Sequence, residues 1–155
     1  MIQIWRIVKP PHASTAFEGE GPKIFGGRWN QKGSSVVYTS ESLALAVLEI
    51  FVQIDSPPSA ELVSIPALIP PELSIKTIQA KELPENWNTY PANHITKNLG
   101  TIWLTNLETL ILKVPSVIIP SEFNYLINPE HPDFKKIKIG KPSSFSFDQK
   151  MWKKH

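Results

Sequence analysis

Hydrophobic and polar positions alternate along Ile2–Val8. Ile4, Arg6 and Val8 fall on one side and Trp5 and Ile7 on the other, so the spacing predicts a strand that Pro10 and Pro11 stop. Residues 36–39 read as a second short strand. A helix follows, opened by hydroxyls among residues 40–42 that can cap exposed amides, and it runs to about residue 54, before Pro57 and Pro58. On a wheel of about 100° per residue, Leu43, Ala44, Val47, Leu48 and Phe51 share one face of this helix. Glu49 falls nearly opposite their centre, with Ser42 and Gln53 beside it. Leu45, Ala46, Ile50 and Val52 make the rest of the perimeter apolar. So narrow a polar stripe predicts a helix buried on several sides, whose carboxylate faces a cleft or a partner; a solvated stripe is the ordinary alternative.

Further along, residues 61–66 and 75–78 read as strands and 92–104, after Pro91, as a helix. Residues 110–114, 116–119 and 123–127 are aliphatic strand candidates separated by Pro115 and Pro120. Fifteen prolines predict many short elements joined by stiff connections. Strands and helices mix without regular βαβ alternation, which favours α+β.

Composition narrows the picture. A chain of 155 residues, 41% hydrophobic, predicts one compact domain over 1–155. With no cysteine there is neither a disulfide framework nor a thiol nucleophile. His12, His94, His131 and His155 are too scattered for a metal-ligand spacing, so no metal site is expected. The opening IQIWRIVK has no leader pattern and no stretch approaches a membrane span, so a cytoplasmic protein without membrane contact is expected. Sixteen basic against fourteen acidic residues give a net charge of +2, too balanced to imply nucleic acid. Much of the excess lies near the end, in a Lys-rich tail at about 141–155 that reads as a solvated terminus or a contact for an acidic partner.

The chemistry concentrates in FGGRWNQKGSSVVYTS, residues 25–40, and in LALAVLEIF just after it. Gly26 and Gly27 before Arg28, and Gly33 after it, let the backbone take positive φ or a ligand approach closely. Arg28 can grip a pyrophosphate or carboxylate through paired hydrogen bonds; otherwise it is a surface arginine in a turn. Trp29 offers a flat face for packing or stacking. Tyr38 ends its strand where the ring can stack on a planar ligand and the hydroxyl can bond a sugar or phosphate; the alternative is a half-buried sheet-edge tyrosine. No Ser-His-Asp order suggests acyl transfer, and neither a GxGxxG nor a Walker motif is present.

GGRWNQKGSSVVYTS, ALAVLE and VPSVIIPSEFNYLINPEHPDF, met in that order after WRI at Trp5, resemble the successive signatures of the RES domain, the toxin half of RES-Xre toxin–antitoxin systems. The resemblance runs to Asp133, most of the chain. It implies an ADP-ribosyltransferase-like fold, with a mixed, split β-sheet and flanking helices framing a cleft for NAD, which is consumed as a substrate; no cofactor is implied. The activities it implies are cleavage of the nicotinamide–ribose bond by hydrolysis or phosphorolysis, or ADP-ribosyl transfer to a protein. Carried over by motif, the catalytic set is Arg28, Tyr38, Glu49 and Ser116, with Ser121 as the competing serine. Trp29, Asn30, Ser40 and Asn128 join Arg28 and Tyr38 as candidate substrate contacts. The partner implied is an Xre-type helix-turn-helix antitoxin that occludes the cleft. A homo-oligomer is compatible with the sequence. A non-catalytic nucleotide-binding module, or an RNA-binding one using the basic end and five tryptophans, is the alternative of another class.

Overall fold

The computed structural model describes residues 1–54 and 61–152. Among these, β1 (Ile2–Val8) leads through a 3-10 turn to α1 (Glu20–Phe25), β2 (Val37–Ser40) and α2 (Leu43–Phe51). Then follow β3 (Leu62–Ile69), β4 (Ile75–Thr77), α3 (His94–Asn106), β5 (Ile111–Pro115) and β6 (Phe123–Ile127), and finally the short β7 (Lys138–Ile139) and β8 (Ser143–Phe145). The strands form one mixed sheet in the order β4-β5-β6-β2-β1-β3-β7, with β8 also on β3. Among the described residues only the β4–β5 pairing is parallel. The α+β class expected from the pattern is what is found.

The sheet is nearly cut in two. β1 pairs with β3 at seven positions, from Ile2↔Ile69 to Val8↔Val63, and β2 pairs with β6 at four. β1 and β2 meet at the single pair Trp5↔Ser40. Where ladder bonds are missing, Arg6 Nη1 donates to the Tyr38 carbonyl at 3.0 Å, so a side chain satisfies backbone that the split leaves open. One apolar core, around Ile4, Ile65, Leu110, Ile111 and Ile127, lies on one face. A second gathers Trp29, Trp87 and Trp103 with Leu112, Val114 and Leu126.

Three elements depart from the pattern. The 61–66 strand runs on through Pro66 to Ile69, because Pro66 only has to accept: Gly140 N donates to its carbonyl at 2.7 Å. Residues 116–119 form no strand; they are the turn between β5 and β6. The Ser116 hydroxyl accepts from the Ile118 and Ile119 amides at 3.1 and 3.2 Å, and Ser116 N donates to Glu122 O, so local bonds replace a ladder. The tail is docked, contrary to the solvated terminus expected. β8 pairs with β3, and Phe145 and Phe147 pack with Ile7, Ala46 and Leu62 against α2. Trp152 stacks on Phe51 at 4.9 Å and 10°. Lys141 and Lys150 stay exposed, so the aromatics dock and the lysines do not. Lys153, Lys154 and His155, like Pro57 and Pro58, lie outside the described residues.

Candidate active site

The split between β1 and β2 opens into a cavity of about 950 Å³, at the upper end of the roughly 300–1,000 Å³ common for small-molecule sites. Arg6 of β1, Arg28, Tyr38 and Ser40 of β2, Glu49 of α2 and Asn124 of β6 all line it. Its ionisable lining is cationic on balance, with Arg6, Arg28 and Lys97 against Glu49. Such a wall attracts an anionic ligand.

α2 aims Glu49 inward. Ser42 caps the helix, its Oγ accepting from Leu45 N at 3.1 Å, and Leu45 and Ala46 are its buried residues. Glu49 lies between those two on the wheel, while Ala44 and Leu48 are exposed and face out. The face that includes Ala44 and Leu48 is therefore not the inner one; a helix apolar nearly all round is free to turn its polar stripe to the cavity. Ser116 Oγ donates to Glu49 Oε2 at 3.1 Å, and Asn124 Nδ2 donates to the same oxygen. Ser40 Oγ donates to Asn124 Oδ1 at 2.7 Å and so fixes which way the amide points. Among the described residues Oε1 carries no hydrogen bond. Ser116 is fully buried and does not line the cavity. It orients the carboxylate from behind; Ser121 is exposed and has no such contact.

The 27–30 turn delivers the arginine. Gly27 and Asn30 pair backbone to backbone, and a Cβ on Gly27 would stand 2.6 Å from the Tyr38 hydroxyl, so only glycine fits. Tyr38 OH donates to Asn30 Oδ1 at 2.6 Å and accepts from Trp29 N at 3.1 Å. Burial raises the Tyr38 pKa well above the usual tyrosine value, outweighing the Trp29 amide and Arg28, which pull it down. Tyr38 is therefore a neutral, already bonded phenol. Arg28 is held at both ends: its carbonyl accepts from Thr96 Oγ1 at 2.8 Å, while Nη1 and Nη2 donate to Trp87 O and Thr89 O at 3.0 and 3.1 Å. Its guanidinium lies 4.8 Å from the Tyr90 ring centroid.

Not every expected contact reaches the cavity. Asn30 is buried, and its Nδ2 is bound to the Pro22, Gln31 and Ser34 carbonyls, so it braces Tyr38 without lining the wall. Asn128 does not line it either. Nδ2 donates to Leu104 O and Oδ1 accepts from Glu130 N, both at 3.1 Å, which makes it a brace for the turn after β6. Trp29 touches the cavity but is 3% exposed and packs into the tryptophan cluster.

Two residues join the site that the carried-over set leaves out, although both lie within the quoted WRI and VPSVIIPSEFNYLINPEHPDF stretches. Arg6 is buried enough to lower its pKa, and its Nε is a buried donor with no partner among the described residues. Asn124 is the second hold on Glu49. The signal available for each is a lone polar residue within an apolar strand, IWRIV and FNYLI.

Comparison with known proteins gives the family. The family model for the RES domain matches residues 3–148. The Prs ADP-ribosylating toxin of Sphingobium sp. (strain YBL2) is 40% identical over 97% of this chain and 96% of its own. Toxin Res of Yersinia enterocolitica is 33% identical over 97% of this chain and 99% of its own. The crystal structure of the M. tuberculosis MbcT-MbcA toxin-antitoxin complex contains a chain that superposes with a TM-score of 0.74 at 15% identity, covering 93% of this chain and 84% of that one. It shares the fold of this chain. Matched over nearly its whole length, with the 27–30 turn and the Glu49 helix meeting at one cavity, the chain belongs to the RES domain family.

Proposed function

We propose that this protein is the NAD-consuming toxin of a toxin–antitoxin pair. The observation that carries the reading is Glu49, clamped through one oxygen by Ser116 and Asn124 on the wall of a cavity that also holds Arg6, Arg28 and Tyr38. Cleaving the bond between ribose C1′ and the nicotinamide nitrogen sends the bonding electron pair out with a neutral leaving group. The sugar left behind is cationic and oxocarbenium-like. A fixed carboxylate beside it stabilises that charge as it grows, and does so strongly where water is scarce. The arginines suit the pyrophosphate, and the unpartnered Nε of Arg6 is a donor an anion would satisfy. An acceptor then closes the new bond at C1′ and loses its proton.

The finer reading is hydrolysis or phosphorolysis that depletes NAD. A second reading, ADP-ribosyl transfer to a protein, is favoured by the relative named for ADP-ribosylating Prs. Incubating the protein with NAD, with and without phosphate, and identifying products by mass spectrometry separates the acceptors. Glu49→Gln is expected to cut NAD turnover by about 100-fold or more with the circular dichroism spectrum unchanged; an undiminished rate overturns the assignment. The partner proposed is an Xre-type antitoxin that covers the cavity, and co-purification with inhibition of turnover tests it.

A further inference from the structure

We infer that Tyr90 is the stacking platform for the adenine ring of the dinucleotide, an assignment that rests on the NAD reading above. Three observations carry it. Tyr90 lines the cavity and yet is 73% exposed, so its ring stands at the mouth. It is held there: the preceding Trp87 and Thr89 carbonyls grip the Arg28 guanidinium, which lies against the ring at 4.8 Å. The other aromatics of the wall are less suited. Trp29 is committed to the core, Trp5 packs half-buried against Ile7, Ala46 and Leu62, and the half-buried Tyr38 has its hydroxyl bonded on both sides. Phe25 is exposed at the rim, but no cation is placed over it.

The scissile nicotinamide–ribose bond has to lie at Glu49, and the opposite end of the substrate is adenine. A base leaving the cavity at its mouth meets the Tyr90 ring, while the neighbouring Arg28 takes phosphate charge. Stacking of this kind uses only the π-face, so the tyrosine hydroxyl is dispensable.

Calorimetric titration in the Glu49→Gln background, where turnover does not consume the ligand, tests the assignment with NAD, ADP-ribose and nicotinamide mononucleotide. Tyr90→Ala is expected to weaken NAD and ADP-ribose by about 10-fold or more and nicotinamide mononucleotide, which lacks adenine, by less than about twofold. Tyr90→Phe is expected to restore the affinity for NAD. Equal losses for all three ligands would mean that the ring acts only through Arg28, and overturn the proposal. Unchanged NAD affinity in Tyr90→Ala, or an equal loss in Phe25→Ala, overturns it as well. If neither Glu49→Gln nor the unaltered protein binds NAD, the functional reading itself fails, a result distinct from the others.

Discussion

Tyr38 shows how much one side chain settles. Its hydroxyl closes a bond to Asn30 and receives one from the Trp29 amide, tying β2 to the turn that presents Arg28. Tyr38→Phe removes both bonds and strands a buried Asn30 acceptor, which is expected to cost about 1–3 kcal/mol in urea unfolding. The pH dependence has a definite sign. Burial favours the neutral phenol, so the folded protein keeps this proton above the ordinary tyrosine pKa of about 10, where the unfolded chain releases it. The stability advantage over Tyr38→Phe is therefore expected to be constant from neutral pH to about pH 9 and to shrink as pH rises past about 10; a difference that grows with pH would contradict it. Arg28, Tyr38 and Glu49 were legible because they belong to contiguous motifs with unusual residue types. Arg6 and Asn124 lie within the quoted WRI and SEFNYLI stretches too, but no role was legible for them, since nothing local says that two strands will bring each side chain to the same wall.

The crossing of α3 over the 27–30 turn fixes where Arg28 emerges. Gly100 is buried there, and a Cβ on it would stand 1.6 Å from the Trp29 carbonyl oxygen. Gly100→Ala must push helix and turn apart. It is expected to lose about 3 kcal/mol or more of stability, read as a lowered urea midpoint. The tail acts on another element. Phe147 packs edge-on to Phe51 at 5.6 Å and to Phe145 at 5.4 Å, backing the outer flank of α2. Phe147→Ala is expected to cost about 2 kcal/mol, less than a fully buried phenylalanine, and to speed hydrogen exchange in α2 ahead of α3. Uniform acceleration through both helices would reject a local role. Proline punctuation located most strands but misled at Pro66, where a carbonyl alone was needed, and at 116–119, where a serine hydroxyl took the amides. Lysine density hid the tail, because the docking information resides in Phe145, Phe147 and Trp152.

For the whole molecule, α+β followed from the mixture of periods, and the family resemblance supplied the split sheet. No local pattern could have supplied the strand order, in which β1 and β2 touch at one pair while each is fully laddered on its other side. That order sets the two strands apart and makes the gap between them the cavity. None of the described helices is long and apolar enough to cross a membrane. The near-severed seam also gives any occupant a mechanical part. On the proposed reading, a molecule lodged there would meet Arg6 of β1 and Arg28 across the gap, and so act as a rivet joining two strands that the backbone barely stitches together.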